Sequence, residues 1–408
     1  MSPTRRTFLT SLAALAARGD VPVRAITRGP KFHWFGYYDK WQFDETGRYA
    51  LGMQVDFEHR SPQAADEIRL GVIDLKDNDR WAEIGRTRAW NWQQGCMLQW
   101  VPGSKDQIIW NDRQEGRYVS VLYSMKTGRK RVLPAPVYTL SPDGAWAVFP
   151  CFSRLNDVRP GYGYAGIPDP LSNDLAPIDR GIWRMDLRTG KTELIISFAD
   201  AVHVPNPYED FAAAKHWFNH LLYSPGGGRF IFLHRWRGQR QGTSFATRMF
   251  TARADGKDLY VLDPLGKTSH FIWRDPQSVL AWAWHPSRGD KFYLFTDKTQ
   301  DVVPVGPDVM TVNGHCTYLP ERKNRPARWI LNDTYPDKQR MQNVYLYEIQ
   351  TGRRVPLGSF LAPKEYTGEW RCDTHPRYSR DGRQVIIDSA HAGGRQMYLL
   401  DLRGVLKG

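Results

Sequence analysis

One short phrase recurs seven times along this chain, and its recurrence restricts the fold more than any composition does: an apolar strand, a tight turn, a second apolar strand. The last copy parses most cleanly. Residues 371–402 read RCDTHPRYSRDGRQVIIDSAHAGGRQMYLLDL. A short strand at 376–379 leads into the turn Ser379-Arg380-Asp381-Gly382. A second strand follows at 384–389, then a Gly-rich loop and a third strand at 396–402. The equivalent turns lie at 43–47, 100–103, 140–144, 223–227, 273–276 and 318–320. Thr-Gly or Asp-Gly turns at 126–128, 188–190, 255–256 and 350–352 announce a fourth strand. Strand, turn, strand, loop, strand is the blade of a radial array, so the expected fold is all-β: a seven-bladed β-propeller of four-stranded blades. Spacing is irregular. The long interval before 223 holds a Pro/Gly-rich excursion at 159–179 and an expected helix at 208–218. Too few residues follow Arg403 for a last outer strand, so 21–27 are expected to supply it and close the ring, removing its exposed edges.

The first residues read as an address. Thr4-Arg5-Arg6-Thr7-Phe8-Leu9-Thr10 resembles a twin-arginine export signal, followed by small apolar residues at 12–17. The apolar run is too short to span a bilayer, which needs about 20 residues. The expected organisation is a signal segment at 1–17 and one propeller domain at 18–408, periplasmic or secreted, with no stable membrane anchor. Four widely separated cysteines predict no disulfide framework. The net charge of +13 in an exported protein argues for an anionic polysaccharide or acidic surface rather than nucleic acid.

Chemistry enters when the histidines are placed on the blades. Three residues before the aromatic of each first-strand turn, four consecutive blades carry His220, His270, His315 and His375; the other three carry Lys40, Met97 and Val137. The start of a blade's innermost strand lies beside the channel, on the same rim as the loop joining its second and third strands. That loop holds His59, His234, His285 and His391; His33, His203 and His216 precede first strands. All 11 histidines therefore map to one rim, and a site with several imidazoles near the axis is expected there. Arg154, Arg159, Tyr162, Tyr164, Arg235, Arg248, Asp333 and Tyr335 map to the same face. Arginine is the natural clamp for a carboxylate, because its planar fork engages both oxygens. His315 beside Cys316, and Cys372, Asp373 and His375, offer N, S and O donors on adjacent innermost strands. Imidazole suits zinc, manganese or iron, and thiolates favour zinc. Alternation along a strand points His315 and Cys316 oppositely, so the cysteines read equally as buried structural residues.

The phrases FGYYDK (35–40), NHLLYSP (219–225), HFIWRD (270–275), GHCTYLPE (314–321), LNDTYPD (331–337) and DTHPRYSRDG (373–382) resemble those of the seven-bladed propeller polysaccharide lyases, the oligogalacturonate lyases and related ulvan lyases. The resemblance spans nearly the whole chain after the signal segment. It implies β-elimination at a uronate: a base takes the C5 proton, an acid protonates the departing O4, and a metal ion or Arg/His donors neutralise the carboxylate. By blade position it makes His270 the catalytic histidine and His315 and His375 two ligands of a divalent ion, manganese or zinc, with Asp373 a further candidate. Arg248 is the candidate catalytic arginine and Tyr164 a candidate for proton transfer; Tyr162, near Arg159, is an alternative. His220, Arg235, Arg159 and Tyr335 are expected to bind an anionic uronate-containing saccharide. The family's remaining ligands, a His and a Gln shortly before the last His, are replaced by Asp373 and Trp370. A non-catalytic periplasmic propeller binding glycan or protein accounts for the ring, signal and charge, but not for the histidine pattern. A peptidase lid is disfavoured: no Gly-x-Ser-x-Gly elbow or hydrolase domain follows the ring.

Overall fold

The computed structural model describes residues 21–208, 210–238, 245–265, 267–320 and 326–406, so the signal segment expected at 1–17 lies outside the described residues. Seven four-stranded antiparallel sheets follow one another around an axis. Six are simple meanders. Blade 1 runs Phe32–Trp34, Tyr49–Val55, Ile68–Asp74, Arg80–Thr87, innermost strand first; blade 4 runs Lys215–Tyr223, Arg229–Arg237, Ala246–Arg253, Tyr260–Asp263. The innermost strands of blades 2, 3, 5 and 6 are Gln99–Trp100, Thr139–Leu140, Phe271–Asp275 and Thr317–Tyr318. Blade 7 is built from both ends of the domain: Arg377–Tyr378, Gln384–Ser389 and Gln396–Asp401 are joined by Val23–Ala25, in the register Val23↔Leu400. The N-terminal strand thus closes the ring where the sequence leaves blade 7 one strand short.

Both faces of each sheet are buried between neighbouring blades, which is why the strands read as runs of apolar and aromatic residues. Between blades 4 and 5, Ile231, Leu233 and Met249 pack against Trp273, Val279 and Ala281. Burying each such larger side chain contributes about 1.5–3 kcal/mol. The helix expected at 208–218 is absent from the described residues there. Its second half lies in the strand Lys215–Tyr223, whose aromatic and apolar side chains are buried on both faces, so tertiary packing overrides the helix propensity of Ala212-Ala213-Ala214. The helices occur nearby instead, at Phe152–Val158 and Phe198–His203. In the second, Ser197 and Asp200 form a reciprocal capping box. Among the described residues no helix is long and apolar enough to cross a membrane.

Candidate functional site

The inner ends of the blades are irregular, and the irregularity aims the histidines. In blade 4 the register shifts between Asn219 and Leu222, and His220 takes a left-handed φ of 52°. His375 (φ 40°) and Met97 (φ 57°), at the equivalent positions of blades 7 and 2, do the same. Such a conformation costs a β-substituted residue about 1–2 kcal/mol. Local hydrogen bonds offset it: Asn219 Oδ1 accepts from the His220 N–H at 2.8 Å, and Asp333 Oδ2 from the His375 N–H at 3.1 Å.

Asp333 is the organising carboxylate. Its Oδ1 accepts from the backbone N–H of His315 at 2.7 Å and from His315 Nδ1 at 2.9 Å; its Oδ2 also accepts from Thr374 Oγ1 at 2.6 Å. One buried side chain thus ties the inner ends of blades 6 and 7 together. Gly314 permits this approach, since a Cβ there would sit 1.9 Å from the Asp333 carbonyl oxygen. With Nδ1 donating to Asp333, the lone pair of His315 is on Nε2, which is buried without a partner; His375 Nε2 is likewise buried and unpartnered. Donor atoms of His315, Asp373 and His375 lie within 4.8 Å of one another, and all three residues are buried. Two orphaned imidazole nitrogens, a carboxylate and a second carboxylate orienting one of the rings fit a divalent cation. Trp370 adds no donor to this set, because its indole N–H is spent on the Glu365 carbonyl at 2.9 Å.

His270 stands beside them, its ring centroid 4.2 Å from that of His315, the same separation as between His315 and His375. Asn313 Oδ1 lies 2.9 Å from His270 Nδ1, and Asn313 Nδ2 donates to Ser269, so Nδ1 carries the proton and the Nε2 lone pair is available. Tyr335 Oη is 3.4 Å from that nitrogen. Burial first, then neighbouring cations, hold His270 and His375 well below the ordinary histidine pKa, so both rings are neutral.

The floor of the site is a segment to which the alignment of blades assigns no role. Residues 35–40 leave the innermost strand of blade 1 and cross the channel. The Tyr37 ring contacts those of His220, His315 and His375; the Tyr38 ring contacts those of His270, His315 and His375. Tyr38 Oη both donates to the Phe271 carbonyl (2.8 Å) and accepts from the Phe271 N–H (3.1 Å). The buried pair Arg377–Asp388 anchors the crossing: Arg377 donates to the Gly36 carbonyl at 2.9 Å, and Asp388 accepts from the N–H groups of Phe35 and Gly36. Gly36 has a φ of 97° and would bring a Cβ to 2.9 Å from the Gln94 backbone. Beyond the crossing the channel reopens into a cavity of about 480 Å³ at the opposite mouth, walled by Trp41, Trp273, Tyr318 and Tyr378. The tyrosine doublet after a glycine in FGYYDK is the signal that could have revealed this floor.

The way in from solvent passes Tyr335, Arg371 and Arg159, which are partly exposed. Arg371 Nε donates to Asp373 at 2.7 Å and its Nη2 to Tyr162 Oη at 2.7 Å. Burial opposes charge on Arg371, but Asp373 and the two tyrosines outweigh it and hold the guanidinium protonated. Burial also opposes ionisation of Tyr162. Arg371 and Arg159 outweigh it, so this phenol is held below the ordinary tyrosine pKa, whereas burial pushes Tyr335 far up. Arg159 lies over the Tyr162 ring at 4.0 Å, and Arg159 and Arg235 both pack on Phe245.

Of the residues expected from sequence, the hub gathers His270, His315, His375, Asp373 and Tyr335, with Arg159 and Arg235 leading away from them. His220 is there too, but both its nitrogens are engaged: Nδ1 accepts from Gln94 at 3.1 Å and Nε2 faces Tyr37 Oη at 3.4 Å, so it belongs to the floor. Two assignments are corrected. Arg248 donates to the carbonyls of Ala201, Val204 and Pro205 and to His234 Nδ1; its guanidinium staples the Phe198–His203 helix to blade 4 and shares no contact with the hub rings. Tyr164 stacks on Phe152 at 4.3 Å and accepts from Asn111, within the core between blades 2 and 3. Tyr162 and Arg371 stand by the hub instead. The other seven histidines do not converge with the four. His33 bonds Gln54 and Gln396, His216 pairs with His234, and His391 bonds Ser389. Cys316 and Cys372 are free and buried in apolar clusters, and neither joins the convergent donors of His315, Asp373 and His375.

No family model and no curated protein matches the chain. Solved structures do. It superimposes on an oligogalacturonate lyase in complex with manganese with a TM-score of 0.64 at 15% identity, covering 96% of this chain and 97% of the other. An oligogalacturonate lyase from Vibrio parahaemolyticus gives a TM-score of 0.64 at 12% identity, with the same coverage. The β-propeller domain of a trilobed protease from Pyrococcus furiosus gives 0.50 at 9% identity, over 91% of this chain and 94% of that one. What these likenesses establish is the fold alone, a β-propeller shared over nearly the whole of this chain and of the two lyase chains.

Proposed function

We propose that this protein is a carbon–oxygen lyase that cleaves uronate-containing saccharides by β-elimination, exported to the periplasm or beyond. The observation that carries the reading is the hub itself: two buried, unpartnered imidazole nitrogens beside the Asp373 carboxylate, flanked by a neutral histidine and an arginine-bound tyrosine. The likeness in fold to oligogalacturonate lyases, one of them a manganese complex, supports it.

His315, His375 and Asp373 would hold a divalent cation, manganese or zinc, and its chemistry there is to neutralise the substrate carboxylate and so acidify the C5 proton. The remaining work belongs to the chain. His270, neutral and with its Nε2 lone pair facing only the Tyr335 hydroxyl at 3.4 Å, takes the C5 proton. Tyr162 accepts a hydrogen bond from Arg371, so its own O–H is uncommitted; it donates that proton to O4 as the C4–O4 bond breaks and the C4–C5 double bond forms. Arg371 then faces the resulting phenolate, as the lowered pKa of Tyr162 requires. Tyr335, kept protonated, hydrogen-bonds the sugar near His270.

The test is incubation of the manganese- or zinc-loaded protein with oligogalacturonides, ulvan and other uronate polymers, following ultraviolet absorbance of the 4,5-unsaturated product. Product is expected from at least one of them, and is lost with a chelator, in His270→Ala and in Tyr162→Phe. A folded, metal-loaded protein that yields no unsaturated product from any uronate polymer ends the reading.

A further inference from the structure

Two arginines outside the metal-binding triad and the proton-transfer pair carry no counter-charge among the described residues. Arg235 is only 3% exposed, its Nε is used on Thr247 at 3.2 Å, and its Nη1 is buried without a partner. Arg159 Nη1 is also buried and unpartnered. Among the described residues neither guanidinium makes an ion pair, in contrast to Arg371 with Asp373 and Arg377 with Asp388. Both pack on one ring, Phe245, with guanidinium carbons 4.8 Å and 4.9 Å from its centroid. A buried donor left unmade costs about 1–3 kcal/mol, and more when charged. Two such cations on one ring, opening beside a site entrance, are an arrangement that an incoming oxyanion completes.

Their position is as informative as their charge. From Asp373 the contacts run outward through Arg371 to Tyr162, from the Tyr162 ring to Arg159, and from Arg159 across Phe245 to Arg235. The contacts therefore reach the pair through Tyr162, which under the lyase reading is the side of the leaving sugar. Phe245 offers that sugar an apolar face between the two cations.

We propose that Arg159 and Arg235 form a second anion subsite, which holds an acidic group on the sugar next to the one that loses its C5 proton. The inference rests on the lyase reading and deepens it: the substrate is at least a disaccharide with an anion on both units. The shared chemistry is a planar or tetrahedral oxyanion on a pyranose, supplied by a second uronate or by a sulfate ester.

Calorimetry on the full-length, manganese-loaded protein separates these cases, with galacturonate, digalacturonate and a disaccharide of a uronate and a sulfated sugar as probes. The wild type is expected to bind one of the doubly charged disaccharides at least about tenfold more tightly than the monosaccharide, as one charge-assisted contact supplies. Whichever disaccharide gains identifies the second anion as carboxylate or sulfate. Arg159→Gln combined with Arg235→Gln is expected to erase that gain, so that the disaccharide binds no more tightly than galacturonate does to the same variant; Arg235→Lys keeps part of it. Arg159 is partly exposed, so Arg159→Gln alone carries the test if the buried substitution unfolds the protein in a thermal melt. A gain that survives the removal of both arginines, or no gain in the wild type, or no binding of any probe, overturns the subsite. Tight binding of a disaccharide without elimination leaves the subsite standing and removes the lyase reading alone.

Discussion

Two groups of buried histidines on the same rim use the same side chain in opposite ways. In blade 4, Arg248 Nε donates to His234 Nδ1 at 3.1 Å, His234 Nε2 donates to His216 Nδ1 at 2.9 Å, and His216 Nε2 donates to the Phe211 carbonyl at 3.0 Å. The chain of donors is complete, and no ring nitrogen is left over. At the hub, Asp333 and Asn313 saturate the inner nitrogens of His315 and His270, and the outer nitrogens of His315 and His375 have no hydrogen-bond partner. Burial does not separate the two groups, since all five of these histidines are buried. Saturation does. A closed relay is a structural device, whereas convergent lone pairs left unmatched in a buried place are a binding device, tolerated because a ligand satisfies them.

The comparison breaks most decisively at the hub. His315→Ala or His375→Ala is expected to lower elimination by about a thousandfold, the several kcal/mol that carboxylate neutralisation supplies. Manganese should no longer co-purify, and the melting temperature should fall further in His315→Ala, which also takes a hydrogen bond from Asp333, than in His375→Ala. Retained metal content in both variants would refute the ligand set. The relay should answer in the opposite sense. Arg248→Met strips three backbone carbonyls and His234 of their donor, so a stability loss of about 3 kcal/mol by denaturant unfolding is expected, with turnover per folded molecule unchanged. A stable but inactive Arg248→Met would restore this arginine to the chemistry.

That contrast also marks what the sequence could and could not reveal. The ring was legible because each blade repeats its turn chemistry. The N-terminal closing strand was legible because blade 7 runs out of chain. The hub positions of His270, His315 and His375 followed from blade alignment, since equivalent positions in a ring must meet at its axis. Arg248 and Tyr164 were misassigned because rim position in a blade says nothing about which way a side chain turns. A strand alternates faces, and a bulge such as that between Asn219 and Leu222 resets the alternation without a mark in the sequence. Arg371 and the tyrosine floor were missed for a related reason. They lie on irregular segments between strands, at 35–40 and next to the short helical turn Gly368–Trp370, where no period exists to read.

A finer test separates the ligand from what orients it. Asp333→Asn keeps the shape but removes the negative charge and one acceptor from a group that receives bonds from His315, Thr374 and the His375 backbone. A loss of about 10–100-fold in manganese affinity is expected, smaller than that from removing a ligand, with metal still detectable at high concentration. Complete loss of binding would instead place Asp333 itself on the ion.

The smallest effect is the one that isolates the relay. Burial foremost, with the positive charges of Arg248 and Arg154 facing it, depresses the pKa of His216 to about 4; burial, His216 and Arg248 hold His234 well below the usual value. Above about pH 6.5 both rings are neutral folded or unfolded, and the shift contributes nothing. As the pH falls below 6.5, the unfolded chain binds protons that the folded relay refuses, because a second proton on either ring would set donor against donor. The unfolded state then holds more protons, so stability falls with falling pH until the folded pKa is reached. Between pH 6.5 and 5.5 each ring should contribute a loss of about 1 kcal/mol. His216→Gln removes one titrating ring from the relay, so its stability, measured by urea unfolding across that interval, should fall less steeply than that of the wild type. Equal slopes in the two proteins would mean that the relay is protonated in the fold, and that saturation is not what distinguishes it from the hub.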